Sequence, residues 1–181
     1  FGVLPEATTG VLFLLLAIAA GVLPPQVMLA VAGSSALWLL LGGLIIADAV
    51  TYTRLGERIA ALLLYRHAAS YLATLSAVAI VASLLAFLMP ATIGRILLLV
   101  PILSAVSAYM GFARGSAGYN GIQLCGITTT FHSGTAILPA NAPNLVLSGA
   151  AETIYHQHLV YGEYLLVQFP VLGLLKAVVC V

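Results

Sequence analysis

The chain has 181 residues, 62% of them apolar and 6% charged, with six Lys/Arg against five Asp/Glu and a net charge of +1. Soluble domains carry roughly 25% charged and 45–50% apolar residues, so an ordinary water-facing shell is excluded and the surrounding solvent is lipid. The near-neutral balance leaves no basic surplus to hold nucleic acid, and Cys125, within an apolar segment, and Cys180, at the end, show neither metal-ligand spacing nor a secreted-framework pattern and read as packing residues.

A bilayer core of about 30 Å needs about 20 helical residues. The first residues, 1–6, carry no basic stretch, so no cleavable leader is expected there. Residues 10–23 are apolar throughout but short, closing at Pro24-Pro25, and residues 27–50 are long enough to span with tilt. Residues 55–65 set Glu57 and Arg58 opposite the apolar 62–64, which suits a helix lying at the membrane interface.

Residues 72–89 run apolar into Pro90-Ala91-Thr92-Ile93-Gly94-Arg95, after which 96–112 continues with Pro101 inside it. A proline, a glycine and an arginine at membrane depth leave backbone groups and a charge that must find partners in protein or water. A re-entrant helical hairpin with its tip at residues 90–95 meets that need. Within residues 121–150, Pro139-Ala140-Asn141-Ala142-Pro143-Asn144 splits a second apolar segment into two half-helices around an unwound turn. The last apolar run, 159–181, reads as a span bent near Pro170.

Paired interruptions of this kind mark a carrier's binding site, where half-helix ends and unwound carbonyls replace a solute's hydration shell. Arg54, Arg58, Arg66, Arg114 and Lys176 fall on one proposed side and Glu152, His156 and His158 on the other, so the positive-inside rule places the first group in the cytoplasm. The fold class is therefore all-α: a polytopic transmembrane protein with a re-entrant hairpin and a broken helix. The single transmembrane domain, 1–181, divides into scaffold spans (1–54), a cytoplasmic interfacial helix (55–67), the hairpin (68–113), the broken helix (119–151) and a final span (159–181).

The stretch from Ile137 through Pro139-Ala140-Asn141-Ala142-Pro143-Asn144 to Val146, with Met89-Pro90-Ala91-Thr92-Ile93-Gly94-Arg95 and Leu37-Trp38-Leu39-Leu40-Leu41-Gly42-Gly43 upstream, resembles the divalent anion:sodium symporters. These are the dicarboxylate, citrate and sulfate carriers of the wider ion transporter superfamily. The resemblance covers one of the family's two inverted repeats, the N-terminal one, and implies that the chain is half of a larger carrier working as a homodimer in the plasma (inner) membrane. In that family a Ser-Asn-Thr motif at the hairpin tip touches substrate and sodium; the matching place here, Pro90-Ala91-Thr92, retains the threonine. The unwound turn, usually Thr-Pro-Pro-Asn, corresponds to Asn141-Ala142-Pro143-Asn144 and keeps the final Pro-Asn pair.

The substrate candidates are Pro90, Ala91, Thr92, Arg95, Asn141, Pro143 and Asn144, and the ion-binding candidates are Thr92, Ala140, Asn141, Ala142 and Asn144. Thr92 lies at a half-helix N-terminus, whose free amides and positive dipole end suit an anion; the alternative is that Pro90 and Gly94 only form a kink. Arg95 either grips an anion or is held structurally by Asp48 or a helix-end carbonyl. Asn141 and Asn144 can ligate Na⁺ through amide oxygens or cap the half-helices. Thr128, Thr129, Thr130, Ser133 and Thr135 either line a path or bond back to helix carbonyls, and His132 is a proton carrier or a packing residue. His156 and His158 lack further ligands for a metal. No organic cofactor or catalytic pair is expected. The function expected is secondary transport of a small anion by alternating access, a di- or tricarboxylate, sulfate or related oxyanion, coupled to Na⁺ or, given the departure at the hairpin tip, H⁺. The alternative is a structural membrane subunit or half-carrier without independent transport.

Overall fold

The computed structural model describes residues 4–26 and 33–181. Helix α1 (Glu6–Ala19) is 14 residues long, about 21 Å at 1.5 Å per residue and shorter than a full crossing. It ends before Gly21, whose φ of +70° is the left-handed conformation that glycine adopts without a Cβ clash.

Of the span expected at 27–50, residues 27–32 lie outside the described residues. In the remainder Gly33 is in a turn, and Ser34 caps helix α2 (Ser35–Tyr52), its hydroxyl accepting from the Leu37 amide at 3.4 Å. A serine ahead of an apolar run satisfies one of the first-turn amides that have no helical partner. Arg54, at φ 52°, starts α3 (Leu55–Arg66), and α2 and α3 meet at a 63° bend. Gly56, Ala60 and Leu64 form the buried face of α3, while Glu57 and Arg58 are exposed. Gly56 lets this face close on Leu98 and Leu85 of the two helices that follow.

Those helices are α4 (Tyr71–Leu88) and α5 (Thr92–Tyr109). They form a hairpin, because the start of α4 lies beside the end of α5: Tyr71 packs edge-on against Phe112 at 5.7 Å, and the Thr74 hydroxyl reaches the Met110 sulfur at 3.4 Å. Pro101 sits inside α5 without ending it. Helix α6 (Ala117–Ala136) starts at that same end, where Ser116 caps it through the Tyr119 amide and the Tyr71 hydroxyl donates to the Gly118 carbonyl at 3.4 Å. It runs along both arms of the hairpin. Leu75, Val78, Val81, Ala82 and Leu85 of α4, Leu99, Leu103 and Val106 of α5, and Ile122 and Cys125 of α6 make one buried cluster. Between helices in lipid, close packing replaces the hydrophobic drive, and Gly126 shows how: the Leu103 side chain occupies the place a Cβ would take. Cys125 is buried with its sulfur on the Leu75 carbonyl, and Cys180 lies against Thr128, so both pack as expected.

After α6 the chain makes a 3₁₀ turn (Leu138–Ala140) and restarts as α7 (Ala142–Tyr155). Helix α8 (Tyr161–Cys180) runs back along α6. Near Pro170, where the sequence reading expects a bend, α8 contains a π-helical segment, Phe169–Leu175. Proline offers no amide to the i−4 carbonyl, and widening the turn accommodates the missing bond without ending the helix. Phe169 packs against Ala86, Ala136, Ile137 and Ala140 around the break.

Among the described residues, α4, α5 and α8 are each long and apolar enough to cross a membrane, as is the bent α2–α3 pair taken together. Phe13 and Leu16 of α1, Trp38 and Ile45 of α2, and Leu166, Val167, Val178 and Val179 of α8 are all at least 65% exposed. Such a surface is tolerable only against lipid or further protein. The protein is an all-α polytopic membrane protein.

Candidate functional site at the two breaks

Both interruptions leave backbone groups without helical partners. At the hairpin tip, Met89 and Ala91 are extended, and α5 begins with no side-chain cap on its first amides. At the second break, Ile137 and Asn141 are extended, and α7 likewise begins without a side-chain cap. Uncapped N-termini carry unsatisfied donors and the positive end of a helix dipole.

Arg95 joins the two. It sits one turn into α5 and is fully buried, and its guanidinium turns back across the tip. Nη1 donates to the carbonyls of Met89 and Ala140, the latter at 3.1 Å; Nη2 donates to the Thr92 hydroxyl at 3.1 Å and the Thr130 carbonyl at 3.5 Å. One side chain thus bridges the hairpin tip, α6 and the unwound turn that precedes α7. Its Nε has no hydrogen-bond partner. Asp48, the acid considered for it from the sequence, is exposed and is not among its partners. The helix-end carbonyl alternative is the one the structure contains.

Gly134 of α6 makes this arrangement possible. A Cβ there would stand 2.6 Å from Nη2 of Arg95 and 2.9 Å from the Thr92 hydroxyl. Its role was not visible beforehand, because an isolated glycine in a Gly/Thr/Ser-rich helix carries no spacing signal. The carbonyl ligands Met89 and Thr130 were missed for the same reason: any residue type supplies a carbonyl.

Asn144 works on the other side of the turn. At 7% exposure, its amide nitrogen donates to the carbonyls of Gly134 and Ile137, each at 3.0 Å, and to Thr135 at 3.4 Å. These belong to the last turn of α6 and the residue after it, whose carbonyls lack intrahelical partners. The Tyr164 hydroxyl of α8 donates to the Thr135 carbonyl at 2.9 Å, a contact with no precedent in the sequence reading. Asn141 is half-buried and its side chain does not cap α7; Pro90 and Thr92 are half-buried, and Ala91, Ala142 and Pro143 are exposed. The tip also reaches α2: Pro90 lies where a Cβ on Gly43 would come within 3.1 Å of its ring. A cavity of about 240 Å³ opens between α2 and the two breaks, lined in part by Trp38, Gly43, Pro90, Pro139 and Ala140.

The hydroxyls of α6 mostly bond back to their own helix: Thr128 to Leu124, Thr130 to Gly126, Ser133 to Thr129 and Thr135 to His132, at 2.6–2.8 Å. Two do not: the Tyr119 hydroxyl lies 2.9 Å from that of Ser104 on α5, and the buried Thr129 hydroxyl makes no hydrogen bond. Lys176 brings its ammonium to 3.5 Å from Nδ1 of His132. His158 stands 3.5 Å from Glu152, and no metal-binding cluster occurs among the described residues.

A hairpin and a broken helix whose uncapped N-termini converge within an apolar helical bundle define a membrane transport protein of the carrier class. The chain belongs to the family of the sodium:sulfate symporter transmembrane region, which matches residues 3–181. No curated protein and no solved structure matches it. Membership agrees with the resemblance drawn from the two interrupted segments, and the family is one of transporters, not of enzymes.

Proposed function

We propose that the protein carries a small divalent or trivalent anion, a di- or tricarboxylate, sulfate or related oxyanion, across the plasma (inner) membrane by alternating access. The observation that carries this reading is the convergence of two uncapped half-helix N-termini, α5 and α7, held together by a buried cation. Free amides at both ends and the charge of Arg95 favour an oxyanion in their shared field. Pro90, Ala91, Thr92, Asn141 and Pro143 would face the substrate, with Arg95 and Asn144 behind them. The coupling ion is Na⁺, in keeping with the family, with H⁺ as the alternative. Asn141, Ala142 and the amide oxygen of Asn144, which accepts no hydrogen bond, are the oxygens left for it once Arg95 has engaged Thr92 and Ala140. The exposed apolar faces of α1, α2 and α8 would meet lipid, the other half of the carrier and a second protomer.

The test is uptake of radiolabelled sulfate and succinate by the full-length carrier in proteoliposomes, under Na⁺, choline or pH gradients, with Ala91→Asp as the site variant. Aspartate is a favoured N-cap, so α5 should not lose stability. Its carboxylate would nevertheless lie where the substrate's charge belongs. The expected result is a loss of uptake of about tenfold or more with an unchanged or raised melting temperature, as expected when only an interaction with substrate is removed. Uptake at the unsubstituted rate would refute the site.

A further inference from the structure

Four oxygens converge on the Arg95 guanidinium from three separate segments: the Met89 carbonyl and Thr92 hydroxyl at the hairpin tip, the Thr130 carbonyl on α6, and the Ala140 carbonyl in the unwound turn. The set is all neutral oxygen. No acid joins it, and the single salt bridge among the described residues, His158–Glu152, is elsewhere. Neutral carbonyl and hydroxyl oxygens at a helix break are the groups that replace water around a bare cation in carriers. Two of them, on Thr92 and Ala140, are those the sequence singles out as ion ligands. Without a positive charge among them, the oxygen dipoles would face one another across a dry interior. Gly134 keeps the space clear for the guanidinium, since a Cβ there would touch both Nη2 and the Thr92 hydroxyl.

We propose that Arg95 is a tethered cation that fills the position between the two breaks where a bound coupling cation would otherwise sit, so that this half of the carrier takes up no ion there. The inference deepens the proposed function and rests on it for the word "coupling". A covalently held guanidinium fixes the tip to the unwound turn whether or not substrate is present. It also makes its positive charge permanent, available to an anion without ion entry. Any coupling ion must then bind at other groups, and the ion dependence of transport comes from those alone.

The experiment is chemical substitution of the missing charge in the full-length carrier. Arg95→Ala opens a guanidinium-sized gap lined by the same oxygens. Thermal stability in detergent and anion uptake are measured as guanidinium chloride, sodium chloride or choline chloride is added at low millimolar concentration. The expected result is lowered stability and at least about tenfold lower uptake in Arg95→Ala. Guanidinium or Na⁺ should restore both, with stabilisation rising as RT ln(1 + [L]/Kd), while choline has no effect and the unsubstituted carrier does not respond to guanidinium. Equal responses in the two proteins, or none in either, would overturn the proposal.

Arg95→Lys and Arg95→Gln guard against a variant that fails to fold. Lysine keeps a cation among the oxygens but not the fork, so uptake should fall, while no new response to guanidinium or Na⁺ should appear; a gained Na⁺ response counts against the proposal. Glutamine keeps donors without charge and should acquire a new Na⁺ response; its absence counts against the proposal. If the unsubstituted carrier moves no anion, the transport reading fails by itself, while the cation-dependent thermal shift still decides what Arg95 replaces.

Discussion

Replacing Asn144 with alanine removes the amide that closes the end of α6. Two hydrogen bonds at 3.0 Å are lost, to the Gly134 and Ile137 carbonyls, together with a longer one to Thr135. The consequences differ among the three. Ile137 still accepts from the Ala140 amide at 3.0 Å, and Thr135 keeps its bond from Tyr164, whereas Gly134 is left with a bare carbonyl in a buried position. In water-soluble proteins a bare buried carbonyl costs about 1–3 kcal/mol. Hydrogen bonds between membrane helices average closer to 0.6 kcal/mol, with a maximum near 1.7, because the unfolded helices also find partners in the bilayer. Two bonds on that scale give about 1.2 kcal/mol on average and about 3.4 kcal/mol at most. For a chain of this size, about 1.2 kcal/mol corresponds to a fall in melting temperature of roughly 2–5 °C. The control is Asn144→Asp, which fills the same volume but turns a carboxylate toward three carbonyls. It should be more damaging than alanine, since it adds an unpaired charge to acceptors that need a donor. Scanning fluorimetry of the detergent-solubilised carrier reads both. A melting temperature for Asn144→Ala within 1 °C of the unsubstituted protein, or an aspartate variant no worse than the alanine one, would refute the assignment of Asn144 as the donor that completes α6.

Gly134→Ala places a methyl 2.6 Å from the Arg95 nitrogen and 2.9 Å from the Thr92 hydroxyl. The guanidinium must move, so overpacking should cost about 1–3 kcal/mol, and anion uptake should fall further than stability alone explains; fluorimetry and uptake on the same preparation check this. Tyr164→Phe deletes the 2.9 Å bond to the Thr135 carbonyl while keeping the ring. Its expected cost is about 0.6–1.7 kcal/mol, and in combination with Asn144→Ala the loss should exceed the sum of the two, because Thr135 is then left with neither donor. A double-mutant cycle on melting temperatures measures that coupling.

The two breaks were legible because proline, glycine and asparagine act locally. Pro90 and Gly94 interrupt one apolar run, Pro139 and Pro143 another, and no distant contact is needed to see that helical bonding stops there. The return of hydroxyls on α6 to carbonyls three or four residues back is equally local. The start of α2 at Ser34 is also local, but inside the apolar run at 27–50 it depends on a single hydroxyl. Sequence reading marked Arg95 and Asn144 without establishing what they hold.

Residue type and spacing by themselves determined the solvent, the helical class, the hairpin and the place of each break, since lipid demands internally satisfied backbone and these residues interrupt it. Tertiary structure alone decided the partners. Arg95 meets oxygens 35 and 45 positions away, and Tyr164 meets a carbonyl 29 positions back. Such contacts depend on where three helices bring their ends. A carbonyl, which every residue carries, has no sequence signature until folding aims it.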